Sequence, residues 1–289
     1  MASMREIKRR RATIENTSQI TAAMKVVSTA KLQKAKGKVE ASKPYFQHMH
    51  DAVTSILAKS DNVNHPYLEQ NDSKKKAVIV ITSNRGLAGG YNNNVVKLIT
   101  KGDFKKEDIV VYAVGRKGRD FLRRYGYEIK EDYSEVMNEP LFSDAAEIGR
   151  AVLDAFSKKE VGEIYIAYTI FKNTITQIPT LMKLLPVAIK EKEEKEKPSA
   201  EDLVLMNYEP EAEEALNEII PKYVNSLIYG ALCEAIASEN GARMQAMDSA
   251  TSNAEEMIDK LSLLYNRARQ GSITQELTEI IAGANAINE

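Results

Sequence analysis

The stretch that decides the fold is the last one, "RARQGSITQELTEIIAGANAINE", from Arg267 to Glu289. It contains no proline, and an apolar residue recurs at every third or fourth position. This spacing is typical of an α-helix with one apolar face. The positions on that face are Ile273, Leu277, Ile280, Ile281 and Ala284. A helix with such a face at the end of a chain needs a partner that covers it.

The same kind of pattern continues backward from this stretch and is repeated at the other end of the chain. No proline follows Pro221, and none precedes Pro44. Steps of four, three and four residues link small or apolar positions, namely Ala231, Ala235, Ser238 and Ala242, and then Met257, Leu261, Leu264 and Ala268. Near the N-terminus the spacing is seven, at Ile7, Ile14, Thr21, Ser28 and Ala35, and after a shift of four it resumes at Val39, Phe46 and Val53. The pattern predicts two long helices in a coiled coil, with Pro44 as a kink, while two core helices of an ordinary bundle are the alternative.

The two ends carry opposite charge, although the whole chain has a net charge of only −1. Residues 1–43 contain 11 Lys and Arg against 3 acidic residues, and residues 201–289 contain 5 against 16. Opposite charge favours pairing of the two terminal helices in one chain. The acidic C-terminal segment would also neutralise the basic run Lys8–Arg11, and no aromatic residues are interleaved with that run. Both observations argue against nucleic-acid binding by this run.

Between the terminal helices the chain alternates apolar strands with helical stretches. Strands are predicted at residues 74–83, 108–115 and 162–170, with another in "TQIPTLMKLLPV". The intervening helices include one for which Ser143 is the candidate N-cap. This order predicts a small, mostly parallel α/β sheet with helical cover. The charge run at residues 190–199 is interpreted as part of a linker.

Candidate chemistry is scarce. The loop Gly86–Gly90 follows a strand, but it lacks the Lys of a phosphate-binding P-loop and the glycine spacing of a dinucleotide fingerprint, so we interpret it as a tight turn with positive φ. The three histidines, His48, His50 and His65, do not form a metal-ligating pattern. Cys233 is the only cysteine, which excludes an internal disulfide. No stretch is apolar enough to insert into a membrane. We therefore expect no catalytic, cofactor or metal site.

Five segments carry a resemblance to a known family. In chain order they are "MREIKRR", "QITAAMKVVSTAKL", "SNRGLAGGYN", "ASENGARMQAMDSATSNAEEMI" and "YNRARQGSITQELTEI". Together they resemble the gamma subunit of rotary F-type ATP synthases, of the bacterial type. The resemblance implies a long antiparallel coiled coil of the N- and C-terminal helices and a small Rossmann-like parallel α/β middle domain. Residues 1–58 and 210–289 are then the shaft helices, residues 74–190 the α/β domain, and residues 191–209 a charged linker.

The resemblance also implies a function and partners. A gamma subunit is the non-catalytic shaft that couples ion flow through a ring of c subunits to ATP synthesis or hydrolysis at the beta subunits. The implied partners are the alpha and beta subunits, epsilon, delta and the c ring, at the cytoplasmic face of a bacterial membrane. Two other classes remain as alternatives. One is a Rossmann-like enzyme with helical dimerisation arms, and the other is a nucleic-acid binder with a basic helix.

Individual residues match family positions with known contacts. The resemblance implies that Arg269, Gln270 and Thr274 contact a beta-subunit loop at the tip of the shaft. It implies that Met24, Lys25 and Arg243 face lower segments of the beta subunits. It also implies that Tyr208 and Glu209 lie in the region of the c ring and epsilon. The second helix is longer than the first, so about 20 residues, or near 30 Å, are expected to extend beyond its partner. The apolar positions Ile273, Leu277, Ile280 and Ile281, called the bearing face below, are expected to be enclosed by other subunits.

Overall fold

The computed structural model describes residues 3–59, 65–69, 71–187 and 212–287. The chain forms two compact units, of which one combines the two ends of the chain and the other is a continuous segment. Met1–Thr29 and Arg243–Glu289 form the helical unit, and Ala30–Ala242 forms the sheet unit. Helix α1 spans Met4–Lys59 and helix α5 spans Ala212–Ile287, so both helices contribute to both units.

The sheet unit contains five strands in the order β3-β2-β1-β4-β5. Neighbouring strands among the first four are parallel, and β5 runs antiparallel to β4. The elements between α1 and α5 are β1 (Lys76–Ile81), α2 (Tyr91–Thr100), β2 (Ile109–Val114), α3 (Arg116–Arg124), β3 (Glu128–Asp132), α4 (Phe142–Ser157), β4 (Glu163–Phe171) and β5 (Gln177–Leu185), with short 3-10 turns at Lys106–Asp108 and Ser134–Asn138. The predicted mostly parallel α/β sheet between two long helices is confirmed.

Both faces of the sheet are covered, which explains the nearly continuous apolar sequences of β1 and β2. Side chains of α2 and α3, such as Val95 and Leu122, pack on one face. Side chains of α4 and α5, such as Val152 and Leu232, pack on the other. Alternate residues of a strand point to opposite faces, so a strand between two helical layers needs apolar residues at every position.

Two local predictions in this unit need correction. Ser143 is not an N-cap, because α4 begins one residue earlier, at Phe142, with Leu141 as the N-cap. The Asp144 carboxylate accepts a hydrogen bond from the Leu141 N–H at 2.8 Å, and it fills the acidic position of the first helical turn. Strand β3 was not predicted, because its sequence "EIKED" is mostly charged. It is an edge strand, where charged side chains face solvent.

In the helical unit α1 and α5 run antiparallel. The Thr21 and Thr251 hydroxyl oxygens lie 2.7 Å apart, and the Lys25 Nζ lies 2.6 Å from the Asp248 carboxylate. Residue numbers therefore rise along one helix as they fall along the other, and a residue of α1 faces the residue of α5 for which the two numbers sum to about 272. Met4, the first residue of α1, accordingly faces residue 268.

The covered face of α5 in this unit steps by four and three residues. The buried or half-buried positions that follow this spacing are Met247, Thr251, Ala254, Ile258, Leu261, Tyr265 and Ala268. The predicted stripe was right for Leu261 and Ala268 but wrong for Met257 and Leu264, which are 51% and 50% exposed. Apolar residues occupy adjacent positions here, and the place of the partner helix decides which of them is covered.

The covered face of α1 follows one unbroken repeat. Leu32, Ala35, Val39, Ser42 and Phe46 are all buried or half-buried, with alternating steps of three and four. A heptad repeat alternates steps of three and four residues between its covered positions. The predicted shift of four from Ala35 to Val39 is therefore an ordinary step within one continuous repeat. The helix also continues without a break through Pro44, as its stripe predicted.

The predicted domain limits remain a prediction. Helices end close to two of them, at residues 59 and 212, but the compact units divide each long helix at another place. The proposed linker at residues 191–209 lies outside the described residues.

Candidate functional site

The uncovered end of α5 is the main feature of the helical unit. Among the residues of α5 whose side chains the structure describes, Ala268 is the last half-buried one, and every residue from 269 to 284 is exposed. The helix nevertheless continues to Ile287, about 28 Å beyond Ala268 at 1.5 Å per residue. The bearing face lies within this segment, with exposed fractions of 45% at Ile273, 54% at Leu277, 62% at Ile280 and 60% at Ile281. Large apolar side chains at this level of exposure are typical of a surface that another protein covers.

The polar residues predicted for this end lie beside the apolar ones. Arg269, Gln270 and Thr274 are all exposed. Within the described residues, neither Arg269 nor Gln270 makes an ion pair or hydrogen bond through its side chain. The Thr274 carbonyl accepts a hydrogen bond from the Thr278 hydroxyl at 2.8 Å, as a helix allows. The guanidinium of Arg269 and the amide of Gln270 can therefore bind an external acceptor without first breaking a contact.

The second predicted group occupies the middle of the helix pair. Met24 and Arg243 are half-buried, and the Lys25 ammonium is paired with Asp248. The antiparallel register places Met24 opposite residue 248, so Arg243 lies about five residues away from the position that faces Met24. Lys25 therefore forms an ion pair with Asp248, a residue that sequence analysis did not identify. The third predicted group, Tyr208 and Glu209, lies outside the described residues.

The glycine loop of the sheet unit is a closed turn. Leu87 and Gly89 have positive φ angles of 63° and 54°, as the tight-turn interpretation requires. The Ser83 N–H, at the end of the preceding strand, donates to the Asn92 side-chain oxygen at 2.8 Å. The Ser83 hydroxyl donates to the Arg85 carbonyl at 2.5 Å. The polar groups at the start of this loop are therefore used within the protein, and Arg85 itself is exposed.

Other groups with chemical potential also have structural partners. His65 is buried, and its Nε2 lies 3.0 Å from the Asn217 side-chain oxygen. Cys233 is buried, and burial raises the pKa of its thiol. The described ranges contain no cluster of His, Cys, Asp and Glu that could hold a metal ion. The basic run near the N-terminus is partly neutralised along its own helix, where Arg10 pairs with Glu6 at 2.9 Å and Arg11 with Glu15 at 3.3 Å.

Glu234, on α5 in the sheet unit, is a half-buried acidic residue that is not among the predicted site residues. Its Oε2 atom is buried and has no hydrogen-bond partner among the described residues. Burial raises the pKa of Glu234, and the Lys43 ammonium partly opposes that rise. The neighbouring Tyr168 on β4 responds to the same environment, since burial, with a smaller contribution from Glu234, raises its pKa to about 12.

We expect Glu234→Gln to raise the free energy of unfolding at pH 7 by about 1 kcal/mol, because the charged form carries a desolvation cost in the folded state. The pKa of Glu234 is higher in the folded state than in the unfolded state. The wild-type chain therefore loses stability as the pH rises from the unfolded pKa through the folded pKa. The advantage of the variant should therefore be largest at neutral pH and vanish below the unfolded pKa. Urea unfolding of both chains at several pH values measures it. An advantage that does not change with pH would contradict the assignment.

Helices of the described part of the chain are not apolar over enough of their length to span a bilayer. The long helices are amphipathic or mixed, and their apolar residues are interrupted by charged ones.

Comparison with known proteins agrees with this architecture. The ATP synthase family matches residues 3–287. The ATP synthase gamma chain of Lachnoclostridium phytofermentans is 69% identical over 291 residues, with 100% of both chains covered. The sodium ion specific ATP synthase gamma chain of Acetobacterium woodii is 45% identical, with 99% of each covered. A chain in the structure of the Euglena gracilis mitochondrial ATP synthase has a TM-score of 0.69 at 18% identity and covers 98% of this chain and 94% of its own length.

A sheet unit carried on two long terminal helices, one of which extends uncovered, is the architecture of the central rotor shaft in rotary ATP synthases. Such a subunit is not itself catalytic. With matches over nearly its whole length, the chain belongs to the family of bacterial F-type ATP synthase gamma chains.

Proposed function

We propose that the uncovered end of α5 turns inside a ring of alternating alpha and beta subunits and that it transmits rotation to the catalytic sites of the beta subunits. The observation that carries this proposal is the exposed segment 269–284, with its four large apolar side chains. An isolated helix of this length is marginal in water, so the segment needs an enclosing partner. A ring of subunits encloses it on all sides.

The apolar and polar residues of this segment have different roles. The bearing face supplies contacts that depend on apolar bulk and not on one fixed fit, which suits a surface that has to turn. Arg269, Gln270 and Thr274 supply specific hydrogen bonds to a beta-subunit loop. Because a given side chain meets a given beta subunit at only some angles, each catalytic site is pushed toward one of its alternative states in turn.

Lower contacts complete the transmission. Met24, Lys25 and Arg243 lie where the two helices are paired, and we assign them to contacts with lower segments of the beta subunits. Tyr208 and Glu209 are assigned to the region near epsilon and the c ring. The complex also contains delta and lies at the cytoplasmic face of the bacterial cell membrane, where the chain is a peripheral component driven by ion flow through the c ring.

The test compares polar and apolar changes in the reconstituted complex with alpha and beta subunits. We expect Arg269→Ala with Gln270→Ala to lower ATP turnover or assembly by about tenfold or more, since a charge-assisted hydrogen bond is worth about 1.5–3 kcal/mol. Leu277→Ile is the matched control, because it keeps the apolar bulk of the bearing face. Its turnover should stay close to that of the wild-type complex.

Two outcomes would contradict the proposal. If the double alanine variant turns over as fast as the control, these side chains make no specific contact that matters for rotation. If Leu277→Ile is as harmful as the alanine pair, the bearing face requires a fixed fit. Size-exclusion chromatography of the complexes separates a loss of assembly from a loss of turnover.

A further inference from the structure

Two polar contacts between α1 and α5 lie within one turn of each other in the helical unit. The Thr21 and Thr251 hydroxyl oxygens are 2.7 Å apart, and Thr21 is only 9% exposed. The ion pair of Lys25 with Asp248, at 2.6 Å, follows directly. Each hydroxyl has one proton, so one of the two donates across the pair while the accepting hydroxyl donates to a carbonyl of its own helix, Thr21 to Ser18 or Thr251 to Met247.

Within the helical unit, the other covered positions specify the register weakly. The covered positions repeat every seven residues and include small or interchangeable apolar side chains, so a slip by one heptad again places covered positions opposite one another. After a slip in one direction, Thr21 would face Ile258. After a slip in the other direction, Thr21 would face Met244 and Thr251 would face Ile14. A polar pair at a core position of a coiled coil is a known device for selecting one register.

We propose that the Thr21–Thr251 hydroxyl pair, supported by the Lys25–Asp248 ion pair, fixes the register of α1 on α5 and thereby sets where the uncovered end of α5 begins. These are positioning residues, and they act through Arg269 and the residues after it. The functional weight of this inference rests on the proposed role of that end, but the register itself is a property of the free chain.

The consequence of a slip is large on the scale of a side-chain contact. One heptad corresponds to about 10 Å along the helix. In one slipped register the start of α1 would face residue 275, so Arg269 and Gln270 would lie alongside α1 and be partly covered. In the other it would face residue 261, and a further turn or two of α5 would lose its cover. Only the observed register ends at Ala268, directly before the predicted polar contacts.

Disulfide trapping in the full-length chain tests the register. In a Cys233→Ala background, Ile14→Cys with Ile258→Cys reports the observed register, since the two numbers sum to 272. Ile14→Cys with Tyr265→Cys reports one slip, and Ile7→Cys with Ile258→Cys reports the other. Each reporter pair is combined with Thr21→Val and Thr251→Val and equilibrated in a glutathione buffer, and the cross-linked fraction is read on a non-reducing gel.

The matched control changes two threonines that are exposed and whose hydroxyls bond only within their own helix. Thr17 donates to the Thr13 carbonyl at 2.9 Å, and Thr278 donates to the Thr274 carbonyl at 2.8 Å. Thr17→Val with Thr278→Val therefore removes the same chemical groups without touching the contact between the helices. A second comparison, Thr21→Ser with Thr251→Ser, keeps both hydroxyls while it removes both methyl groups.

We expect the valine pair at Thr21 and Thr251 to raise the ratio of slipped to native cross-links about tenfold, the order expected for losing one buried hydrogen bond. The control and the serine pair should keep the native ratio. An unchanged ratio in the valine pair would overturn the proposal, and so would slippage in the serine pair equal to that in the valine pair. Circular dichroism checks that all variants remain helical.

These outcomes are distinguishable from a failure of the proposed function. The cross-linking ratio is measured without alpha or beta subunits, so a register held by these hydroxyls stands even if Arg269 contacts no beta subunit. In the assembled complex, the valine pair should lower the ion pumping obtained per ATP hydrolysed, a ratio that a general loss of stability would leave unchanged.

Discussion

Removal of residues 267–289 should lower ATP turnover of the reconstituted complex by about tenfold or more, while removal of only the last ten residues should cost much less. The longer deletion takes away Arg269, Gln270 and the whole bearing face. The shorter one keeps these polar residues together with Ile273 and Leu277. Torque can still pass through the paired part of the helices in both cases, so neither deletion should abolish rotation entirely.

The measurement is ATP turnover per assembled complex, with assembly followed by size-exclusion chromatography. Circular dichroism of the free chains serves as the control, because neither deletion removes any residue of the sheet unit. If the ten-residue deletion alone abolishes assembly while the chain remains folded, the segment is an assembly anchor and the bearing picture is wrong.

Met24→Lys should uncouple ATP hydrolysis from ion pumping in the membrane-bound complex. Met24 is half-buried and faces residue 248, where Lys25 already pairs with the Asp248 carboxylate. A second ammonium beside that pair has no acidic partner of its own, and a partly buried cation without a partner is costly. The added ammonium will therefore form hydrogen bonds with acceptors on the partner subunit that covers this side of the helix pair. These bonds will hold the rotor at particular angles.

The expected result is ATP hydrolysis within about threefold of wild type, together with ATP-driven ion pumping lowered by about tenfold or more. Met24→Leu is the volume-conserving control and should pump normally. Pumping is followed by quenching of a pH-sensitive dye in vesicles, or by sodium uptake if that is the coupling ion. Normal pumping by the lysine variant would show that Met24 does not face a partner during rotation.

The helices and the sheet were predictable because their signals are local. The absence of proline over long stretches and the heptad spacing predicted α1 and α5, and apolar runs predicted β1, β2 and β4. The edge strand β3 was missed because its charged sequence follows from its place at the edge of the sheet, which is a tertiary property.

The candidate site was predictable only in part, and for the same reason. The excess length of α5 over α1 correctly predicted an uncovered end, since helix length depends on local sequence. Which apolar residues face the partner helix could not be predicted, as Met257 and Leu264 show, because the choice depends on register. The pairing of Lys25 with Asp248, 223 residues apart, depends on that register as well.

The distribution of glycine along α5 gives its two segments different mechanical properties. The paired segment from residue 243 to residue 268 contains no glycine, whereas the uncovered segment contains Gly271 and Gly283. Apart from the adjacent residues and the nearby backbone of its own helix, a Cβ atom at either position would meet no atom within 4 Å, so close packing inside this chain does not require glycine there. Each glycine lowers helix stability by about 1 kcal/mol relative to alanine. The free end is thus the more compliant segment of α5, and the paired segment is the stiffer one.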